Sequence, residues 1–348
     1  MPYGPELMIV ADTVFGEEVF VADADVLLGD ACDVLESGQR SELLRAIDTG
    51  TAIALMSERA FHELGWMSAK SARGRKVNHD HLRALLTQKY LPRIPVVATP
   101  ESASEHWMPA ATDVADPHDV AHVQVARLVS ARAVYSHDRH LRRPGHAPAT
   151  RNDYDQRVIS LSVVSKRKET EQGAGMILGL ASTGTSSAVS WTSARINIRP
   201  AAVWAGLAAV LVVSTYLILA RPDRRQRLLD GLTPTIERIG AALERSEKAR
   251  RELSSTSLLT TVDHDRFEVL VATWLARNPD TTMGGIAESL ELTTAGRRQL
   301  SALLRSHPSF ERVSRYGWAI GRTRTELETV PPPWPSNQGS MTVSSPTA

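Results

Sequence analysis

Residues 201–220 form an uncharged run that divides this chain of 348 residues into two parts. The run reads AAVWAGLAAVLVVSTYLILA, in which only Gly206, Ser214 and Thr215 lie outside the apolar residue types. As an α-helix it is long enough to cross the hydrocarbon core of a bilayer, which is about 30 Å thick. Pro200 precedes it, and four arginines follow it within residues 221–227. The segment therefore predicts a transmembrane helix, because buried core helices are usually shorter and lack such flanks.

A second uncharged segment, residues 174–191, bears on the membrane topology. It is rich in small residues, which pack helices closely in membranes, and the basic run 166–168 precedes it. We expect the two segments to form a hairpin, with a flexible Gly/Ser linker as the alternative for residues 174–191. A hairpin with basic flanks places both ends of the chain in the cytoplasm. The expected location is thus the cell membrane, with cytoplasmic soluble domains.

The net charge of +1 is an average over segments of opposite sign. Residues 1–150 contain 15 basic and 20 acidic side chains, whereas residues 292–324 contain seven arginines and one acid. A uniformly basic coat for nucleic acid is therefore excluded, but a local one is not. The single cysteine, Cys32, excludes a disulfide framework and a four-cysteine zinc site, and it is consistent with a reducing cytoplasm.

Residues 1–155 alternate short apolar runs with helical patterns, which predicts an α/β domain with a mostly parallel sheet and flanking helices. The predicted strands are 19–22, 52–56, 95–98 and 133–135. The predicted helices are 41–48, 57–69, 79–90 and 119–129. Ligands of such sheets bind at the carboxyl ends of the strands.

Acidic residues fall at the positions where this rule places a ligand site. They are Asp23 and Asp25 after the first strand, Glu63 in a helix, Asp116 and Asp119 at a helix start, and Asp138 after the last strand. Carboxylates that converge on one edge repel one another unless a cation neutralises them. Hard oxygen ligands select Mg²⁺ or Mn²⁺. The sequence therefore predicts a site for one of these ions.

The order and spacing of these acids, over residues 18–145, resemble the PIN-domain nuclease family. The matching motifs are D-A-D-V-L-L, D-P-H-D-V-A-H and Y-S-H-D-R-H-L, together with the helical glutamate. The resemblance implies that Asp23, Glu63, Asp119 and Asp138 are catalytic, and that Asp23, Asp119 and Asp138, joined by Asp116, bind the metal. It further implies hydrolysis of phosphodiester bonds, with RNA as the substrate. Asp25 departs from the family, in which Asn, Ser or Thr is common.

Several of these residues also allow plainer interpretations. Asp116 can act as an N-cap with Pro117 at the first helical position, and Asp25 is expected to order the turn. His118 and His122 have a spacing that allows zinc, although the neighbouring acids suit a harder ion. A basic run of Lys70, Arg73, Arg75 and Lys76 is either a solvated loop or the path of a phosphate backbone.

Residues 221–255 are expected to form a basic juxtamembrane and helical connector. Its apolar spacing allows a short coiled-coil seam at best, and a solvated connector is favoured. A homodimer is left open, and a further domain is expected at residues 256–324. Helices at 265–277, 286–290 and 294–306 and a hairpin at 310–321, turning at residues 316 and 317, are predicted next. Three helices followed by a hairpin resemble the winged helix-turn-helix family over residues 262–323. The resemblance implies contacts with DNA or with a protein. The tail, 325–348, is predicted to be disordered.

The basic residues expected to contact nucleic acid avoid the apolar stripe of the third helix or lie on the wing. They are Arg297, Arg298, Arg305 and Arg315, with further wing arginines at 312, 322 and 324. The leading hypothesis is a membrane-tethered, metal-dependent endoribonuclease with a winged-helix targeting or sensing module. The alternatives are a membrane-bound DNA-binding regulator whose PIN-like domain is not catalytic, and a nuclease of single-stranded or flap DNA.

Overall fold

The computed structural model describes residues 18–99, 108–183, 241, 244–249, 251–253 and 266–327. The predictions for residues 184–191 and 201–220, for most of the 221–255 connector and for the tail from residue 328 lie outside this part of the chain. Among the described helices, none combines the length and the hydropathy that a bilayer crossing requires.

The first part of the chain is built on a four-stranded parallel sheet. Its strands are β1 (Glu18–Ala22), β2 (Ala52–Ser57), β3 (Val96–Val97) and β4 (Ala133–Tyr135), in the order β3-β2-β1-β4. All five residues of β1 are buried, as expected for a parallel strand that is covered on both faces. The predicted α/β class, with a parallel sheet and flanking helices, is confirmed.

Seven helices of the described chain flank this sheet or follow it. They are α1 (Ala24–Ser37), α2 (Glu42–Asp48), α3 (Glu58–Arg75), α4 (His79–Leu85, continued by a π-helical turn at Leu86–Tyr90), α5 (Val120–Leu128), α6 (Arg139–Arg142) and α7 (Arg151–Thr183). Helix α1 was not among the predicted elements. It begins directly after β1 because Asp23 caps it, and α3 extends beyond its predicted end at residue 69.

Residues 156–200 were expected to be a linker that contains the weak membrane segment 174–191, and the described part of this stretch, as far as Thr183, is helical in α7. Its first half is fixed to the domain. Arg157 Nη1 donates to Glu18 Oε1 at 2.6 Å, and Leu161 is fully buried. The helix packs mainly against α2. An ion pair and a buried leucine thus hold the first half of α7 to the domain.

The second described part contains three helices and a small antiparallel sheet. These are α8 (Phe267–Arg277), β5 (Thr281–Thr282), α9 (Met283–Ser289), α10 (Thr294–Ser306), β6 (Phe310–Arg312) and β7 (Gly317–Ile320), with the strand order β5-β7-β6. Strand β5 was not predicted. The turn of the β6–β7 hairpin occupies residues 313–316, so Gly317 belongs to the strand and not to the turn.

The two parts are joined through one apolar cluster and several hydrogen bonds. Helix α8 packs against α5, and residues of both belong to the same buried cluster. Val96 and Arg322 exchange two backbone hydrogen bonds, with N···O distances of 2.8 and 2.9 Å. Ser309 Oγ donates to Ala98 O at 2.8 Å. The second part therefore covers α5 and continues the sheet beside β3.

Candidate metal centre

Asp23 lies at the carboxyl end of β1, where it is tied to the neighbouring strand. Its backbone N–H donates to Tyr135 O at 2.9 Å. One carboxylate oxygen, Oδ1, accepts the N–H of Ala24 at 2.6 Å, and Oδ2 accepts the hydroxyl of Ser136 at 2.7 Å. The side chain is buried. These bonds fix the orientation of the carboxylate before any ligand arrives.

The segment that follows β4 brings a second carboxylate to this edge of the sheet. Ser136 Oγ, which donates to Asp23, also accepts the N–H of Asp138 at 2.9 Å. Asp138 then caps α6, because its Oδ1 accepts the N–H of His140 at 2.6 Å. One serine thus connects the two strand-end aspartates that the sequence singled out.

Asp25 lies in the first turn of α1 and is also bonded to the segment after β4. Its Oδ2 accepts the backbone N–H of His137 at 2.9 Å. The other oxygen, Oδ1, is buried and has no hydrogen-bond partner in the described chain. Burial and the neighbouring charge of Asp23 raise the pKa of Asp25 to about 7. Its hydrogen bond holds the chain beside Asp138, an ordering role of the kind predicted.

Asp119 occupies the N-cap position of α5, but its side chain makes no capping hydrogen bond. It is buried, and its Oδ2 has no hydrogen-bond partner within the described residues. Burial is the largest cause that raises the pKa of this carboxyl to about 8, followed by the charges of Asp138 and Asp23. A buried carboxylate oxygen without a donor, surrounded by other acids, is suited to a cation.

Glu63 and His122 complete the inner part of the cluster. One ligand atom from each of Asp23, Glu63 and His122 lies within 4.8 Å of the other two. Arg59 Nε donates to Glu63 Oε1 at 2.6 Å, which offsets part of the negative charge. His122 Nε2 is 3.6 Å from Asp23 Oδ1, and its Nδ1 is 2.6 Å from the hydroxyl of Ser57, which also caps α3.

His122 is the residue whose place in this cluster the sequence interpretation missed. From the sequence, His122 was expected to bind a metal only as a zinc ligand together with His118. The group of possible metal ligands among the described residues contains His122 but not His118. The sequence pattern could have indicated that His122 belongs to the site, because it lies on the buried face of α5 one turn after Asp119. A fully buried polar ring at that position requires polar partners.

Asp116 lies at the margin of the cluster. Its Oδ1 accepts the N–H of His118 at 2.9 Å, which is a turn-stabilising bond close to the predicted capping role. Its charge also contributes to the raised pKa of Asp119. Of the five acids predicted for the site, Asp23 and Glu63 are therefore directly adjacent. Asp119, Asp138 and Asp116 surround them.

The predicted nucleic-acid contacts lie in the second part of the chain, and all four side chains are exposed. They are Arg297, Arg298, Arg305 and Arg315. Two other arginines assigned to the wing differ from the expectation. The backbone of Arg322 pairs with Val96, and the guanidinium of Arg324 lies 5.7 Å from the ring centre of Phe61. Arg322 therefore contacts the first part of the chain through its backbone, and Arg324 contacts it through its side chain.

Comparisons of the chain with protein-family models, curated proteins and solved structures find no match. Function is therefore inferred from the geometry. The possible ligand atoms are carboxylate oxygens of Asp23 and Glu63 and an imidazole nitrogen of His122, a group that is compatible with a divalent metal ion. The nearby Asp119 Oδ2 has no hydrogen-bond partner among the described residues.

Proposed function

We propose that this chain is a Mg²⁺- or Mn²⁺-dependent endoribonuclease of the PIN type. The observation that carries the proposal is the convergence of Asp23, Glu63 and His122 at the carboxyl edge of a parallel sheet. Beside them lies the buried Asp119, whose pKa the charges of Asp23 and Glu63 help to raise and whose Oδ2 has no hydrogen-bond partner among the described residues. Asp138 joins them through the shared serine. Four carboxylates in this arrangement are suited to phosphodiester hydrolysis with a divalent ion.

The residues of the chain have distinct tasks in such a reaction. Asp23, Glu63, Asp119 and Asp138 would hold the ion. When bound, a divalent cation supplies a water of lowered pKa and stabilises negative charge on the scissile phosphate. Ser136 and the Ala24 N–H keep the Asp23 carboxylate oriented. His122, held by Ser57, faces the same carboxylate from the other side.

The test uses the full-length protein and end-labelled single-stranded RNA, with Mn²⁺, Mg²⁺ or EDTA. We expect cleavage with either metal, none in EDTA, and a loss of at least about 100-fold in Asp23→Asn and Asp138→Asn. Asp80→Asn, an exposed acid in the first turn of α4, is the matched control and should cleave normally. Failure of a folded protein to cleave, or full activity in both site variants, would contradict the proposal.

The membrane tether is a further part of the proposal. It is supported by the uncharged run at residues 201–220 and the arginines that follow it. The full-length chain should remain with membranes after extraction at high pH. Release into the soluble fraction would count against a spanning segment.

A winged helix-turn-helix in residues 256–324 is supported by the order of α8, α9, α10 and the β6–β7 hairpin. The exposure of Arg297, Arg298, Arg305 and Arg315 favours a second candidate function, binding of DNA by this part of the chain. Loss of duplex DNA binding in Arg297→Ala with Arg298→Ala, in a protein without nuclease activity, would favour the regulator over the nuclease.

A further inference from the structure

One face of α3 carries a stripe that begins at the carboxylate cluster. The stripe consists of the half-buried Glu63 and the exposed Trp66, Lys70 and Arg73, whose spacing of three, four and three residues places them on the same side of a helix. From Glu63 to Arg73 the axis rises about 15 Å, at about 1.5 Å per residue. The opposite side of α3 is buried, including Phe61, Leu64 and Ala72.

Trp66 is the most conspicuous member of this stripe, because 43% of its surface is exposed. A ring with this exposure is accessible to a ligand. An indole ring also offers a flat face on which a planar ring can stack. Trp66 therefore presents a stacking surface one helical turn beyond Glu63.

The two cations of the stripe, Lys70 and Arg73, differ from their neighbour Arg75 in their ion pairing. Arg75 is paired with Asp33 and Glu36. Lys70 and Arg73 are exposed, and no carboxylate of the described residues lies within 4.0 Å of either. Their charges are therefore available to an anionic ligand that passes along the helix.

We propose that this stripe is the binding path of a single strand of nucleic acid that enters the carboxylate cluster, with a base on Trp66 and phosphates at Lys70 and Arg73. The inference rests on the proposed nuclease function and adds the substrate form. A single strand is required because bases within a duplex are already stacked on each other, so that only an unpaired base is available to an indole ring. The backbone phosphates match the two unpaired cations.

The test measures binding separately from cleavage. The full-length protein, in EDTA, is titrated into a fluorescein-labelled single-stranded RNA of 12 nucleotides, and anisotropy is followed at several salt concentrations. We expect Trp66→Ala to weaken binding about 5- to 150-fold. Lys70→Ala and Arg73→Ala should each reduce the slope of log K against log salt by about 0.7. Blunt duplex RNA of the same sequence should bind less tightly and should be insensitive to Trp66→Ala.

Two matched controls separate the stripe from the rest of the surface. Ile159→Ala removes another exposed apolar side chain, on α7, and Lys89→Ala removes an exposed charge near Arg93 and Asp48. Both should bind the single strand like the unmodified protein. The stripe is excluded if its variants bind the single strand normally, or if Arg297→Ala with Arg298→Ala alone abolishes this binding. It is also excluded if Trp66→Ala weakens binding to anionic lipid vesicles but not to the single strand.

The outcome is independent of the nuclease test. Binding that requires Trp66, in a protein that never cleaves RNA, would leave the stripe in place and remove the proposed catalytic function. Cleavage with unchanged KM in the Trp66, Lys70 and Arg73 variants would do the reverse.

Discussion

Asp119 combines three features that disfavour a charged side chain in the folded protein. Its carboxylate is buried, its Oδ2 has no hydrogen-bond donor among the described residues, and it is close to other acids. An Asn at this position would have the same shape and no charge. Active sites commonly retain such unfavourable groups because function requires them.

Replacement of Asp119 should therefore stabilise the metal-free protein in a pH-dependent way. In the unfolded chain the carboxyl ionises near pH 4, whereas in the folded protein its pKa is about 8. The wild-type protein thus loses stability as the pH rises towards 8, because unfolding releases the proton. We expect Asp119→Asn to increase the free energy of unfolding by about 1–3 kcal/mol at pH 8 and by less at pH 5. Urea unfolding in EDTA at both pH values measures this, and a destabilised variant at pH 8 would contradict it.

At the scale of elements, the sheet and its helices are held by a few contacts that reach across the chain. The junction between β3 and the second part depends on Gly321, and the attachment of α7 depends on Arg157. Gly321 has a φ of +69°, and a Cβ there would lie 2.6 Å from Val96 O. Arg157 pairs with Glu18, which is buried at the start of β1.

Gly321→Ala is expected to lower the free energy of unfolding by about 3 kcal/mol, since it combines an unfavourable φ with a backbone clash. Gly38 is the matched control. Its φ is +67°, but nothing lies within 4 Å of its Cβ position, so Gly38→Ala should cost only about 1 kcal/mol. Equal losses in the two variants, measured by urea unfolding, would show that the contact with Val96 is unimportant.

Arg157→Ala should destabilise the protein by about 3 kcal/mol, because it removes the closer of the two described arginines beside the buried Glu18 carboxylate, where Arg132 Nε at 3.7 Å and the Tyr135 hydroxyl at 3.4 Å remain. Lys166→Ala on the same helix removes an exposed pair with Glu42 and should cost less than about 1 kcal/mol. Adding Glu18→Gln to Arg157→Ala should recover part of the loss. Thermal unfolding of the four proteins tests this coupling.

Local patterns predicted the strands well and the helices less well. Residues 133–135 and the helix at residues 294–306 match the structure, because their apolar periodicity is uninterrupted. Helix α1 was missed because Asp23 and Asp25 look like the end of a strand, whereas Asp23 caps a helix that starts at the next residue. Helix α7 was missed because its burial depends on partners distant in sequence, such as Glu18.

The site, like the fold, could be predicted where it depends on local sequence and not where it depends on packing. Acids placed at strand ends could be assigned to one edge, because parallel strands share a direction. The other contacts of the site, such as the hydrogen bond between Ser57 and His122, depend on how α5 packs on the sheet. Periodicity gives the buried face of a helix, but it does not give the neighbour that the face meets.

At the scale of the molecule, the described parts on either side of the undescribed middle of the chain share one apolar cluster. Leu275 of α8 and Leu128 of α5 belong to it, and both are fully buried. Parts that share a core are expected to unfold together.

Leu275→Ala should accordingly lower the stability of the whole protein by about 2–5 kcal/mol. Far-UV circular dichroism and tryptophan fluorescence should report one coincident transition, shifted equally in the variant. Val313→Ala, at an exposed position, is the control and should change little. Two separate transitions, with only one displaced by Leu275→Ala, would show that the parts are independent.

The pairing of Val96 with Arg322 has a consequence for solubility. Strand β3 lies at the edge of the sheet, and the exposed backbone of an edge strand is a template for another chain. Arg322 occupies this edge at Val96 with two hydrogen bonds. A chain that ended before residue 266 would leave that edge open, and light scattering should then detect self-association that the full-length protein resists. The C-terminal part is therefore expected to protect the edge of β3 against self-association.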